Sequence, residues 1–127
     1  MTSFVLDSSA VLASLLGEPG GDDVDAAIEA SFLSAANYAE IITELIDKGV
    51  SPDDAREATL QLRCEVAPID EERAAAAGML HARTRGKGVS FGDRFCLALA
   101  QELGLPTLTA DRRWKTLDLG VDVTLIR

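Results

Sequence analysis

The chain has 127 residues, is 47% hydrophobic and 26% charged, and carries a formal charge of −9. This composition is ordinary for a folded globular protein, lies far from the disordered range, and at this length fits one domain with its own core. No apolar run approaches the ~20 residues of a bilayer span, and the acidity speaks at first against nucleic acid, whose binders usually show a basic footprint.

Phe4-Val5-Leu6 is short, apolar and partly β-branched, as expected of a buried central strand. Asp7-Ser8-Ser9 can cap the apolar helix Ala10–Leu16, which Gly17-Glu18-Pro19-Gly20-Gly21 ends. Asp22 and Asp23 head a short helix through Ala30, and Ser31–Leu33 is a weak second strand. Ser34 is a good N-cap for a helix over Ala35–Lys48, whose Tyr38, Ile41, Ile42 and Leu45 form an apolar stripe closed by Gly49.

Ser51-Pro52-Asp53-Asp54 opens a helix that runs to about Arg63. Glu65–Ile69 reads as a strand, and Pro68 near its end suits an edge position. Asp70 caps an Ala-rich helix over Glu71–Thr84, followed by the turn Gly86-Lys87-Gly88. Ser90 with Asp93 resembles a capping box for Phe91–Leu103, with Gly104 as its C-cap. Pro106–Thr109, Asp111–Leu117 and Val121–Ile126 complete the pattern as strand, short helix and strand. Alternating strands and helices predict an α/β fold with a parallel sheet.

Four acids fall just past strands or at a helix head: Asp7, Glu40, Asp93 and Asp111. Strand-to-helix junctions of a parallel sheet share one edge, where ligands bind, so acids distant in sequence would share a pocket there. Crowded carboxylates repel unless a cation holds them, and all-oxygen donors favour Mg²⁺ or Mn²⁺. Each acid also has a plainer role. Asp7 and Asp111 can cap helices, Asp93 can pair with Ser90, and Glu40 with Asn37 and Glu44 can form a solvated helix face. Their common placement carries the argument.

Bases gather late in the chain, at Arg83, Arg85, Lys87, Arg94, Arg112, Arg113 and Lys115, so the overall charge leaves nucleic acid open. Arg94, Arg112 and Lys115 flank the third and fourth acids and are candidate phosphate contacts. His81, the one histidine, has no nucleophilic partner, and no Gly-rich phosphate loop of Walker or dinucleotide type is present. Cys64 and Cys96 read as buried free thiols, and Trp114 and Phe91 as packing groups. Met1-Thr2-Ser3 shows no secretory signal, and the expected location is cytoplasmic.

The acids stand within Phe4-Val5-Leu6-Asp7-Ser8-Ser9-Ala10, Ser34-Ala35-Ala36-Asn37-Tyr38-Ala39-Glu40, Ser90-Phe91-Gly92-Asp93-Arg94-Phe95-Cys96-Leu97-Ala98-Leu99-Ala100, and Leu108-Thr109-Ala110-Asp111-Arg112-Arg113-Trp114. In this order the segments resemble the PIN-domain family, in particular the toxin ribonucleases of VapBC toxin–antitoxin systems. The resemblance implies a three-layer α/β/α fold with a central, mainly parallel sheet of four to five strands, and residues 1–127 as a single PIN domain. It matches Asp7, Glu40, Asp93 and Asp111 to an acidic quartet around Mg²⁺, with Mn²⁺ as substitute. Asp7, Glu40 and Asp93 would be direct or water-mediated ligands, and Asp111 would orient the attacking water or a metal-bound water. Ser9 matches a small polar residue supporting the first acid, and Asn37 a polar neighbour of the second.

The implied activity is Mg²⁺-dependent endoribonuclease cleavage of RNA by a toxin. Its implied partners are a VapB-like antitoxin and a second copy of the chain, as a homodimer and as a toxin–antitoxin hetero-oligomer. Two other classes are a catalytically inactive PIN-like binding module and a Mg²⁺-dependent phosphatase of the haloacid-dehalogenase kind. The intact quartet opposes the first. Ser9, standing where the phosphatase class has an acid, opposes the second.

Overall fold

In the computed structural model, which describes residues 2–127, the strands are β1 (Val5–Leu6), β2 (Phe32–Ser34), β3 (Glu65–Ala67), β4 (Thr107–Thr109) and β5 (Val123–Leu125). They form one sheet in the order β3-β2-β1-β4-β5, and every pair is parallel. The expected α/β class, the parallel sheet and the edge position of β3 are all present. Pro68 follows β3 directly, where the missing amide costs no ladder bond.

The helices are α1 (Ser8–Leu16), α2 (Gly21–Ala27), α3 (Ala35–Asp47), α4 (Pro52–Leu60), α5 (Glu71–Met79), α6 (His81–Thr84) and α7 (Phe91–Leu103). Because successive strand residues point to opposite faces, Leu6, Leu33 and Leu108 pack with α1, α3 and α4. Val5 faces the other way, into a second core with α5, α7 and the fully buried Trp114. The result is a three-layer α/β/α sandwich. No helix among the described residues is long and apolar enough to cross a membrane.

Several segment ends differ from the sequence reading: β3 stops at Ala67 rather than Ile69, β5 is trimmed to Val123–Leu125, and the helix expected through Ala30 gives way to a 3₁₀ turn at Ile28. The helix expected over Glu71–Thr84 breaks at Leu80, where Arg83 N–H bonds back only three residues to the Leu80 carbonyl, at 3.0 Å. The break places Leu80 and Thr84 both in the interior. Helix α4 stops at Leu60, short of Arg63, whose side chain instead reaches Glu29 at 2.8 Å. The segment after β4 is a 3₁₀ turn, Arg112–Thr116, with Asp111 as its cap.

The path of the chain shapes the sheet edge at which Asp7 emerges from β1. It winds outward from β1 through β2 to β3, then returns along α7 to β4 on the other flank of β1. The direction of winding therefore reverses between β1 and β4, which opens a crevice past their C-terminal ends. Helix α7 runs antiparallel to the strand it feeds, so its N-terminus lies at that same edge.

Candidate functional site

Asp7 leaves β1 in an extended conformation (φ −77°, ψ 154°) at the N-cap position of α1, yet its side chain makes no capping bond. Its Oδ2 instead accepts the Ser9 hydroxyl at 2.6 Å and the Thr109 hydroxyl at 2.8 Å. Thr109 reaches it because β1 and β4 pair in register Leu6 to Leu108, which sets the next residues side by side. Asp7 is 4% exposed. Burial pushes its carboxyl up to about 6, with Asp93 and Glu40 adding to the rise and the two hydroxyls working against it.

Glu40 lies in the second turn of α3, a helix that Ser34 caps by accepting the Ala36 N–H at 3.3 Å. Its Oε1 accepts the Ser8 hydroxyl at 2.7 Å and the Asn37 amide at 2.8 Å. Asn37 is fully buried, and the same amide donates to the Gly92 carbonyl at 3.1 Å, tying α3 to α7. Gly92 has a specific steric role here: a Cβ at this position would fall on the Glu40 carboxylate. Only a residue without one lets the two helices close over Glu40.

Asp93 forms the capping box of α7. Its Oδ2 accepts Ser90 N–H at 2.9 Å, and Ser90 Oγ accepts Asp93 N–H at 3.2 Å. Its carboxyl is raised, chiefly by burial, with Glu40 and Asp111 pushing the same way. Asp111 is held differently. Its Oδ1 accepts Arg113 N–H at 3.0 Å and Nε–H at 3.1 Å, while Oδ2 accepts Nη2 at 2.9 Å. The Arg113 guanidinium keeps this carboxyl below the usual range. Glu44, one turn beyond Glu40, is also raised, first by burial and then by Glu40.

The structure thus brings all four acids to one edge, close enough for their charges to act on one another. Among the described residues no three His, Cys, Asp or Glu side chains gather tightly enough to hold a metal as they stand. Mutual repulsion and the separate hydrogen bonds of each acid account for that spacing. Even so, the donor set suits Mg²⁺ or Mn²⁺: it is all oxygen, and Asp7, Glu40 and Asp93 form no salt bridge among the described residues. A buried carboxylate without a counter-charge is costly, and a cation in the crevice would relieve it.

The candidate bases are placed unequally. Arg112 and Lys115 are exposed on the 3₁₀ turn beside Asp111. Arg94 is turned away: its guanidinium reaches the Ala77 carbonyl at 3.5 Å and lies 5.4 Å from the Phe91 ring centroid. Phe91, expected to pack, opens α7 and is 68% exposed, its ring meeting Phe95 edge-on at 5.1 Å between centroids. Trp114 packs as expected, Cys64 and Cys96 are buried and free, and His81 is exposed. Sequence reasoning missed Ser8, Thr109, Gly92 and Arg113. The three polar ones flank the predicted acids by one or two residues, and that proximity was the available signal.

A family model described as PIN domain matches residues 4–119. A search of curated proteins gives no match. Among solved structures, DNA-bound VapBC from Salmonella typhimurium aligns with a TM-score of 0.77 at 19% identity, covering 100% of both chains. A sarcin-ricin loop cleaving toxin of Mycobacterium tuberculosis, VapC20, aligns at 0.73 and 18% identity over 90% of this chain and 93% of that one. FitAcB from Neisseria gonorrhoeae aligns at 0.70 and 22% identity over 97% and 96%. With the family model spanning the crevice, its four acids and both flanking cores, the chain belongs to the PIN domain family.

Proposed function

We propose that this chain is a Mg²⁺-dependent endoribonuclease, the toxin of a toxin–antitoxin system. One observation carries the reading. Asp7 is buried at the reversal of strand order without a salt-bridge partner, and Glu40 and Asp93 face it closely enough to raise its pKa. The neighbouring structures support it, since they include VapBC complexes and an RNA-cleaving toxin.

In this reading Asp7, Glu40 and Asp93 hold the ion, directly or through water. When bound, Mg²⁺ supplies Lewis-acid polarisation of the phosphate and a more acidic water, and Mn²⁺ can take its place. Ser9 and Thr109 fix the Asp7 carboxylate, and Ser8 and Asn37 fix that of Glu40. Asp111 orients the attacking water or a metal-bound water, and through the latter bears on how tightly the ion is held. Arg112 and Lys115 neutralise phosphates beside the scissile bond. The phosphatase alternative loses ground because Ser9, at the position where that class needs an acid, is occupied in holding Asp7.

The partners proposed are a second copy of the chain and a basic antitoxin, for which a charge of −9 is electrostatically favourable. The test is cleavage of structured RNA by the purified chain with Mg²⁺, with excess EDTA, and after Mn²⁺ is restored. Activity should vanish in EDTA and return with Mn²⁺. Undiminished cleavage in chelator overturns the metal mechanism. Co-expression with the adjacent gene should yield a complex that does not cleave; with no such complex, and a monomeric chain, the toxin assignment falls.

A further inference from the structure

We propose that Arg113 is a positioning residue that competes with the metal for Asp111, so that the affinity of the site for a divalent cation is set by an internal counter-ion. This rests on the metal reading above. Its grounds lie in the geometry around one side chain.

Arg113 uses its fork and its backbone together. The guanidinium takes both Asp111 oxygens, and the Arg113 N–H adds a third bond to Oδ1. Asp111 is thereby the one member of the quartet with a salt bridge among the described residues. Three donors take three of the carboxylate's roughly four lone-pair sites and the guanidinium offsets its charge, so a cation or a water meets one open site on Oδ2 and gains a stronger hold only by displacing a donor. The Asp111 carboxylate is also within electrostatic reach of Asp93, so its release would be felt by the rest of the site.

The other side of the guanidinium is shaped for it. Arg113 crosses the turn at Gly88, whose φ is +73°, and a Cβ there would strike the guanidinium. The motif Gly86-Lys87-Gly88 therefore does more than turn the chain: its second glycine leaves the corridor that lets Arg113 lie back against Asp111. Together with Thr116, the turn and Arg113 line an open cavity of about 560 Å³. The Arg113 side chain is 65% exposed, so it can swing into water without opening the core. The grip is geometrically complete and yet easily released, which is what a displaceable counter-ion requires.

The alternative is that Arg113 merely braces the 3₁₀ turn. The two roles separate in Mn²⁺ binding, read from the free-ion electron paramagnetic resonance signal, without any cleavage measurement. Arg113→Gln should tighten Mn²⁺ binding at least threefold over the wild type. Asp111→Asn should weaken it. The double variant should match Asp111→Asn alone, because Arg113 acts through Asp111. Gly88→Ala, which crowds Arg113 from outside, should shift affinity in the same direction as Arg113→Gln, and it serves if that variant is unstable.

Unchanged or weaker Mn²⁺ binding in Arg113→Gln overturns the proposal, as does equal tightening in the presence and absence of the Asp111 carboxylate, which would mark a general charge effect. Should the wild type and Asp7→Asn bind Mn²⁺ equally or not at all, the metal reading itself fails and the proposal with it. Should Asp7→Asn alone lose binding while Arg113→Gln changes nothing, the metal reading stands and only this inference falls.

Discussion

Asp7 and Glu40 are fastened by neutral donors, three hydroxyls and an amide, whereas Asp93 and Asp111 are fastened by the start of their own helical segments. The difference is physical. A hydroxyl or amide orients a carboxylate and leaves its charge in place, but a guanidinium cancels that charge and a capping bond occupies a lone pair. The first pair is thus held ready for a cation, at a cost in stability, and the second pair contributes to folding while it waits. The contrast in pKa direction is sharpest between Asp7, raised to about 6, and Asp111, lowered by its guanidinium, while burial raises Asp93 in spite of its capping bonds.

The largest effect should come from breaking the first pair at Asp7. Asp7→Asn should reduce RNA cleavage by more than about 100-fold, the upper end for losing even an outer-shell partner of a metal ligand. Metal-free stability should move the opposite way. Asp7 is raised in the folded state, so between its unfolded value of 3.8 and about 6 the native chain binds the extra proton. Stability without metal therefore falls as pH rises through that window and stays reduced above it, by up to about 3 kcal/mol. Melts in EDTA at pH 4, 5, 6 and 7 should show this decline in the wild type and a smaller one in Asp7→Asn, where only the raised Asp93 and Glu44 still contribute it. A wild-type curve that rises over the window would refute the assignment of Asp7 as an uncompensated buried acid.

Gly92→Ala should come next, and it separates function from folding. Alanine gains up to ~1 kcal/mol over glycine within a helix. The new Cβ would occupy the place of the Glu40 carboxylate, which is the far end of a flexible side chain and can swing out. Cleavage should fall about 10- to 100-fold while the melting temperature holds or rises. If activity persists, Glu40 does not need the seat that α3 and α7 make for it.

Removing single neutral donors should have smaller effects of predictable sign. Thr109→Val deletes the hydroxyl's bond to Asp7 and the bond it accepts from Asp111 N–H, with little change of volume, and should cost about 1 to 3 kcal/mol of stability. Because that bond holds the Asp7 carboxyl down, its loss should raise the pKa further. The acid limb of the cleavage pH profile should then shift to higher pH. Ser9→Ala should shift it the same way, since Ser9 bonds the same oxygen at 2.6 Å. Profiles that superimpose on the wild type would show that these hydroxyls do not act on the ionised acid.

The same contrast explains what the sequence could and could not reveal. Each of the four acids follows a strand or opens a helix, and those junctions are legible because caps, glycines and apolar runs mark them locally. The α/β class and the edge strand followed from the same marks. The fasteners were harder to read. Thr109 meets Asp7 across the β1–β4 register, and Gly92 meets Glu40 across a helix contact, so neither pairing exists until the sheet order is known. The exposure of Phe91 is hidden for a related reason, since apolar character does not tell a residue that packs on one neighbour, Phe95, from one enclosed by the core. The break at Leu80 was hidden because alanines on both sides favour one continuous helix.

Asp111→Asn should have the smallest effect of the acid substitutions. Asparagine caps about as well as aspartate, so the 3₁₀ turn should lose no more than a few tenths of a kcal/mol. The bond from Arg113 N–H can persist, and only the charge and the bidentate pairing are removed. In the wild type the Asp111 charge is partly balanced by Arg113 and bears on Asp93 but not measurably on Asp7, so its removal should relieve Asp93 only modestly. Cleavage should therefore fall about 10-fold, an order of magnitude or more less than for Asp7→Asn, and the loss should lie in the rate at saturating Mg²⁺ as well as in the Mg²⁺ requirement. Measuring cleavage against Mg²⁺ concentration separates the two. A loss as deep as that of Asp7→Asn would make Asp111 an equal ligand of the quartet and dissolve the contrast between the pairs. No loss at all would leave Asp111 as a cap alone.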